Sequence, residues 1–175
     1  RCAMPVSLTP QLVLDRYDQV TPDLLARRGI SLLLCDLDYT LAPRSVPEPD
    51  AALRRWLAGL QNAGITVMIL SNNRSSRRVE TFCATLGIRY VGHAGKPSPR
   101  GYREAMEQAG AAPKQTAMLG DKLLTDILGA NRSGVLAVMV EPLGGPVGVW
   151  NHFLHLLQRP FKWIAKRRMT KHESI

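Results

Sequence analysis

Two aspartates, Asp36 and Asp38, stand one residue apart where the apolar run "SLLLCDLD" ends. Residues i and i+2 of an extended segment point to the same side, so a tight turn after Asp36 would bring both carboxylates to one reacting group. One carboxylate could attack phosphorus, while the other protonates the leaving oxygen and later deprotonates a hydrolytic water. Comparable groups follow other apolar runs: Ser71 after "ITVMIL", Lys96 after "IRYV", Asp121 after "TAMLG", and Asp126 five residues beyond. Carboxylates gathered in one place repel unless a cation lies among them, and an all-oxygen set suits Mg²⁺. Asp36, Asp38, Asp121 and Asp126 are therefore the candidate metal ligands. Ser71 would donate a hydrogen bond to a phosphoryl oxygen, and Lys96 would offset the negative charge of phosphate and carboxylates.

For these residues to meet, the elements carrying them must end at one edge. Five continuous apolar runs, at 31–38, 65–70, 88–91, 116–120 and 135–140, have the character of buried parallel strands. Amphipathic stretches separate them. Residues 51–63 place Leu53, Trp56, Leu57 and Leu60 on one face after the start signal Pro49–Asp50, with Gly64 as the stop. Helices are likewise predicted at 75–86 (Val79, Phe82, Cys83, Leu86) and at 99–109 (Tyr102, Ala105, Met106). A fourth, marked by Leu123, Leu124, Ile127 and Leu128, ends near Gly134. Alternation of strand and helix implies right-handed crossovers and an α/β fold, a three-layer Rossmann-like parallel sheet with helices on both faces. In such a sheet the ligand site lies at the carboxyl ends of the strands, where each candidate falls. Residues 7–30 hold a short helix started by Thr21 and Pro22, packing on the sheet.

Plainer readings stand beside several of these residues. Asp126 could cap its helix or pair with Lys122. Asn72 and Asn73 suit a turn irrespective of chemistry, although Asn72 adjoins Ser71 and is counted with it on the phosphate side. His93 reads as a loop residue and Cys35 as a small apolar side chain on a buried strand. Arg74, Arg77 and Arg78 read as a solvated face, with Arg74 near enough to the site to touch substrate.

The 175 residues suffice for one domain with an ample core, and 45% hydrophobic with 21% charged residues is ordinary for a globular chain. Of the net charge of +9, residues 159–175 contribute +5, from six Lys or Arg against one Glu. Two regions follow: a catalytic domain over 1–148 and a basic, aromatic-rich helix or tail over 149–175. In the latter, Trp150, Phe153, Leu154, Leu157, Phe161 and Ile164 fall near helical spacing among cations. This pattern suits peripheral contact with an anionic membrane; a cover for the sheet edge, a solvated tail and RNA contact are the alternatives. Three cysteines at unrelated spacings form neither a disulfide framework nor a metal pattern, which favours a reducing, cytoplasmic setting. No apolar run approaches the roughly 18 to 20 residues of a membrane span.

The segments "DLDYT" (36–40), "LSNN" (70–73), "KPSP" (96–99) and "GDKLLTD" (120–126) resemble, in order and spacing, the four motifs of the haloacid dehalogenase (HAD) superfamily of aspartate-nucleophile phosphatases. "VTPDLLARRGI" (20–30) and "GDKLLTDILGANRSG" (120–134) are similar to its IIIA-type subfamily, which includes phosphatidylglycerophosphate phosphatases. The resemblance implies that Asp36 is the nucleophile, Asp38 the acid/base, Thr40 a supporting hydroxyl, Ser71 and Lys96 phosphate ligands, Asp121 a direct Mg²⁺ ligand and Asp126 a more distant partner. Tyr39 stands where that subfamily commonly has Asn, and Lys122 where it commonly has Gln. Only 30 residues separate Thr40 from Ser71 and 24 separate Ser71 from Lys96, so no separate cap domain is expected. An open site suits a phosphate on a large carrier, phosphatidylglycerophosphate or another membrane-associated phosphate first. A soluble metabolite is the alternative, and a basic RNA- or ribosome-binding adaptor the second.

Overall fold

The computed structural model describes residues 7–73 and 76–144; the tail over 149–175 and Arg74 lie outside the described residues. The described residues build one six-stranded sheet with every pairing parallel. Its strands are β1 (Leu12–Leu14), β2 (Leu32–Cys35), β3 (Thr66–Leu70), β4 (Arg89–Val91), β5 (Thr116–Gly120) and β6 (Leu136–Val140), in spatial order β1-β6-β5-β2-β3-β4. Five correspond to the apolar runs of the sequence. β1 does not: the sequence suggested only a helix before residue 30, yet Leu12, Val13 and Leu14 lie opposite Val138, Met139 and Val140.

Among the described residues the α-helices are α1 (Pro22–Ala26), α2 (Ala51–Asn62), α3 (Ser76–Leu86), α4 (Pro99–Ala109) and α5 (Leu128–Ser133). Local signals fix several of their ends. The Thr21 and Asp50 side chains accept hydrogen bonds from the amides of Leu24 and Leu53, satisfying donors that a helix start leaves open. Ser98 caps α4 with Pro99 in its first turn, and Gly110, at φ 65°, closes it in the left-handed conformation. Ahead of α5, Leu123–Ile127 is wound as a π-helix where the sequence suggested a regular helix.

Alternate residues of each strand feed two cores. On one face Leu33, Cys35, Val67, Ile69 and Leu119 pack with Leu53, Leu57 and Leu60 of α2 and Val79 and Phe82 of α3. On the other, Leu32, Leu34, Met68, Leu70 and Met118 pack with Tyr102 and Met106 of α4 and with Leu123, Ile127 and Ala130. This is the expected three-layer α/β arrangement. From β2 the chain winds outward through β3 and β4, then returns to β5 on the other side of β2, so the order reverses between β2 and β5. Open α/β sheets place their ligands at such a reversal, beyond the carboxyl ends of the strands. The connection from β2 to β3 consists of a loop and α2, and that from β3 to β4 of α3 with its flanking loops.

Candidate functional site

Asp36 follows the last residue of β2, where its amide donates to Leu119 O and continues the ladder with β5. Asp121 stands at the matching position after β5. Lys96 comes from the loop between β4 and α4, and Asp126 from the π-helical turn. These four side chains are buried together. Lys96 Nζ lies 2.8 Å from Asp36 Oδ1 and 2.7 Å from Asp126 Oδ1, and it also donates to Leu70 O at 2.7 Å. Asp126 Oδ1, fully buried, meets Lys96 as an ion pair and makes no aligned hydrogen bond; its other oxygen accepts from the Lys122 amide.

Small residues admit this arrangement. A Cβ on Gly120 would overlap the Asp126 carboxyl group, so the end of β5 must be bare for Asp126 to reach Lys96. A Cβ on Gly129 would likewise strike the Tyr102 ring, whose hydroxyl donates to Asp126 O at 2.9 Å. The chain after Asp36 turns sharply: Tyr39 has φ 69°, left-handed backbone that costs a non-glycine residue roughly 1–2 kcal/mol. The turn brings Thr40 inward, where its hydroxyl donates to Asp121 Oδ1 at 3.0 Å.

One oxygen from each of Asp36, Asp121 and Asp126 can lie within 4.8 Å of the others, a buried all-carboxylate set that fits a hard divalent cation. The Asp38 carboxylate lies apart from this set. It receives Arg78 Nε at 3.0 Å, Arg44 Nε at 3.2 Å and Asn73 Nδ2 at 3.3 Å. Ser71 is buried at the end of β3 and its hydroxyl accepts from the Asn73 amide. Asn72 exchanges two 2.8 Å hydrogen bonds with the Lys96 backbone, fixing the loop that delivers the lysine. His93 is exposed, whereas Cys35 and Cys83 are buried, free thiols.

Comparison with known proteins gives these residues a family context. Residues 93–142 match the HAD-hydrolase-like family. The chain is 32% identical over 149 residues to "Probable phosphatase YqeG" of Bacillus subtilis, covering 85% of this chain and 86% of that protein. The chain belongs to the HAD-like hydrolases. It is a HAD-type phosphatase, a phosphoric monoester hydrolase. It is also 34% identical over 136 residues to the chloroplastic phosphatidylglycerophosphate phosphatase 1 of Chlamydomonas reinhardtii, covering 71% of this chain but only 51% of the algal protein. A 3-deoxy-D-manno-octulosonate 8-phosphate phosphatase from Yersinia pestis shares the fold at TM-score 0.51 and 19% identity, over 82% of this chain and 89% of that one.

Electrostatics in this HAD site follow from burial opposed by close pairs. Burial pushes Asp36 upward, but Lys96 and then Lys122 outweigh it and hold the carboxyl below its ordinary range. Burial would lower Lys96, yet Asp126 and Asp36 keep it above the ordinary lysine value. For Asp126 burial wins over Lys96 and raises the carboxyl to about 6. Asp121 is raised too, by burial against the pull of Lys122.

Two features of the HAD site escaped sequence reasoning. Arg78 was read as part of a solvated face; it is mostly buried, and besides Asp38 it binds Val46 O at 2.6 Å and Pro43 O at 3.0 Å. Lys122, noted only as a departure from the subfamily pattern, reaches Asp36 Oδ2 at 3.1 Å and Asp121 Oδ1 at 3.0 Å. A cation immediately after Asp121 was the available signal for the second; nothing local marks the first.

Proposed function

We propose that this HAD phosphatase hydrolyses a membrane-associated phosphomonoester, phosphatidylglycerophosphate foremost, through an aspartyl-phosphate intermediate. The observation carrying the mechanism is Asp36 itself: buried, kept ionised by Lys96 and Lys122, and beside the pocket that Ser71, Asn72 and Asn73 also line. An Asp36 oxygen attacks phosphorus as the bond to the leaving oxygen breaks, and Asp38 passes that oxygen a proton. Water then attacks the aspartyl phosphate, Asp38 takes the water's proton, and inorganic phosphate leaves with Asp36 restored. Lys96 and the Ser71 hydroxyl bind the phosphoryl oxygens, with Asn72 and Thr40 holding Lys96 and Asp121 in place. Asp36, Asp121 and Asp126 would hold Mg²⁺, which when bound neutralises their charge and polarises a phosphoryl oxygen, while the Asp38 carboxylate, held by Arg78, Arg44 and Asn73, stays outside that set for proton transfer.

Support for a lipid substrate comes from similarity to the algal protein and from the short connections around the site, which leave the pocket open to a large carrier. Among the described residues no helix is long and apolar enough to cross a membrane. Phosphate release should be measured from lipid, sugar and nucleotide phosphates with Mg²⁺. Asp36→Asn should abolish turnover while the chain remains folded by circular dichroism, although loss of the charge paired with buried Lys96 should lower the melting temperature; EDTA should inactivate the wild type until Mg²⁺ is restored. Turnover by Asp36→Asn would overturn the mechanism; preference for a soluble phosphate over the lipid would overturn the substrate.

A further inference from the structure

Lys122 Nζ sits among three oxygens from three positions: Asp121 Oδ1 at 3.0 Å, Asp36 Oδ2 at 3.1 Å and the Asp38 backbone carbonyl at 3.4 Å. Two of these residues belong to the carboxylate set that fits a divalent cation. The set carries three negative charges, of which Lys96, fully buried against Asp36 and Asp126, balances one. Two remain. The Lys122 ammonium supplies one positive charge, whereas a divalent ion would supply two.

Lys96 and Lys122 differ in freedom. The Lys96 side chain is 2% exposed and its nitrogen is also held by Leu70 O. Lys122 is 46% exposed and borders the pocket mouth with Tyr39, Arg44 and Thr125, so its stem can swing its nitrogen into water. Mg²⁺ bonds oxygen at about 2.0–2.1 Å. An ammonium at 3.0–3.1 Å from an oxygen of each of two of these carboxylates stands where it would compete with such an ion.

We propose that Lys122 is a tethered competitor for the divalent-cation site: its ammonium occupies the carboxylate set when the cation is absent and is displaced into solvent when the cation binds. Resting on the metal site proposed above, this makes Lys122 a determinant of how much free cation the enzyme requires. Without the cation, the ammonium prevents the Asp36 and Asp121 carboxylates from repelling one another. On loading, the cation must overcome both lysine contacts. The apparent affinity is therefore lower than the carboxylates alone would provide.

The test is direct binding of Mg²⁺, with Mn²⁺ as a paramagnetic probe, by calorimetry and spin resonance on the full chain. Lys122→Met, which keeps the stem and removes the charge, should bind at least tenfold more tightly than wild type, and Lys122→Arg should remain weak. Acetylation of wild-type Lys122, followed by mass spectrometry, should proceed several-fold faster in saturating Mg²⁺ than in EDTA, which tests displacement without any substitution. Equal affinity in wild type and Lys122→Met would overturn the inference and leave the metal site standing. So would acetylation indifferent to Mg²⁺, because repulsion at a distance does not free the amine. Failure of every chain to bind either ion would overturn the metal site and the competition together.

Discussion

At the scale of single residues, Tyr39 shows what the site costs. Its φ of 69° lies in a region that asparagine tolerates and tyrosine resists, and the IIIA-type subfamily commonly places Asn there. The turn is held by backbone bonds, Tyr39 N to Ala42 O at 2.9 Å and Leu143 N to Tyr39 O at 2.7 Å. Tyr39→Asn retains both bonds while easing the backbone. It should raise stability by about 1 kcal/mol in urea titrations, within the range for removing a left-handed non-glycine residue. An unchanged or lowered midpoint would mean that the tyrosine ring contributes at least as much as its backbone costs.

At the scale of elements, the loop between β2 and α2 depends on α3. Arg78 joins the carbonyls of Pro43 and Val46 to the Asp38 carboxylate, bridging segments more than thirty residues apart in sequence. Arg44 reaches the same carboxylate from a side chain 60% exposed, where ion pairs contribute little. Arg78→Ala should therefore cost about 2 kcal/mol, as expected for charge-assisted bonds, and speed proteolysis between residues 43 and 48. Arg44→Ala should alter neither. The same contrast explains what could be read from the sequence. Asp36, Lys96, Asp121 and Asp126 were legible because strand ends in a parallel sheet converge, and β2, β3, β5 and β6 were legible because buried strands are continuously apolar; β4, at the sheet edge with Arg89 exposed, shows this pattern only weakly. Arg78 was not, since helical periodicity marks which side chains face a core but not which distant carbonyl a guanidinium will find. β1 is a short edge strand whose parallel partner β6 lies 126 positions further on, so no local signal announces that pairing. The π-helical turn carries the same apolar positions as an ordinary helix, but it turns Leu123 and Ile127 inward while leaving Leu124 51% exposed.

At the scale of the whole molecule, substrate capture is the open quantity. The described residues provide an open pocket with cations at its rim, and the sequence beyond them is rich in aromatic and basic residues. Each Lys or Arg near an anionic bilayer contributes roughly 1 kcal/mol of attraction. Truncation after Leu157 removes all six cations of 159–175. It should reduce sedimentation with anionic vesicles at low salt and slow release of lipid phosphate, while leaving hydrolysis of a small soluble ester unchanged. A truncated chain that hydrolyses vesicle lipid at the intact rate would exclude the tail from capture. Loss of an RNA gel shift with vesicle binding preserved would assign the tail to nucleic acid instead.

The strand order also dictates a timetable for the nascent chain. β2 can pair with β3 once residue 70 has left the ribosome, but its other neighbour, β5, ends at Gly120. At about 5–20 residues per second, those fifty residues take roughly 3–10 s, during which β2 presents an unpaired apolar edge. β1 waits longer still, since Leu12 is translated 126 positions before its partner Val138. Of the described strands, the earliest made is among the last secured, and the interval is an opportunity for chaperones as well as for mispairing between neighbouring chains on one message.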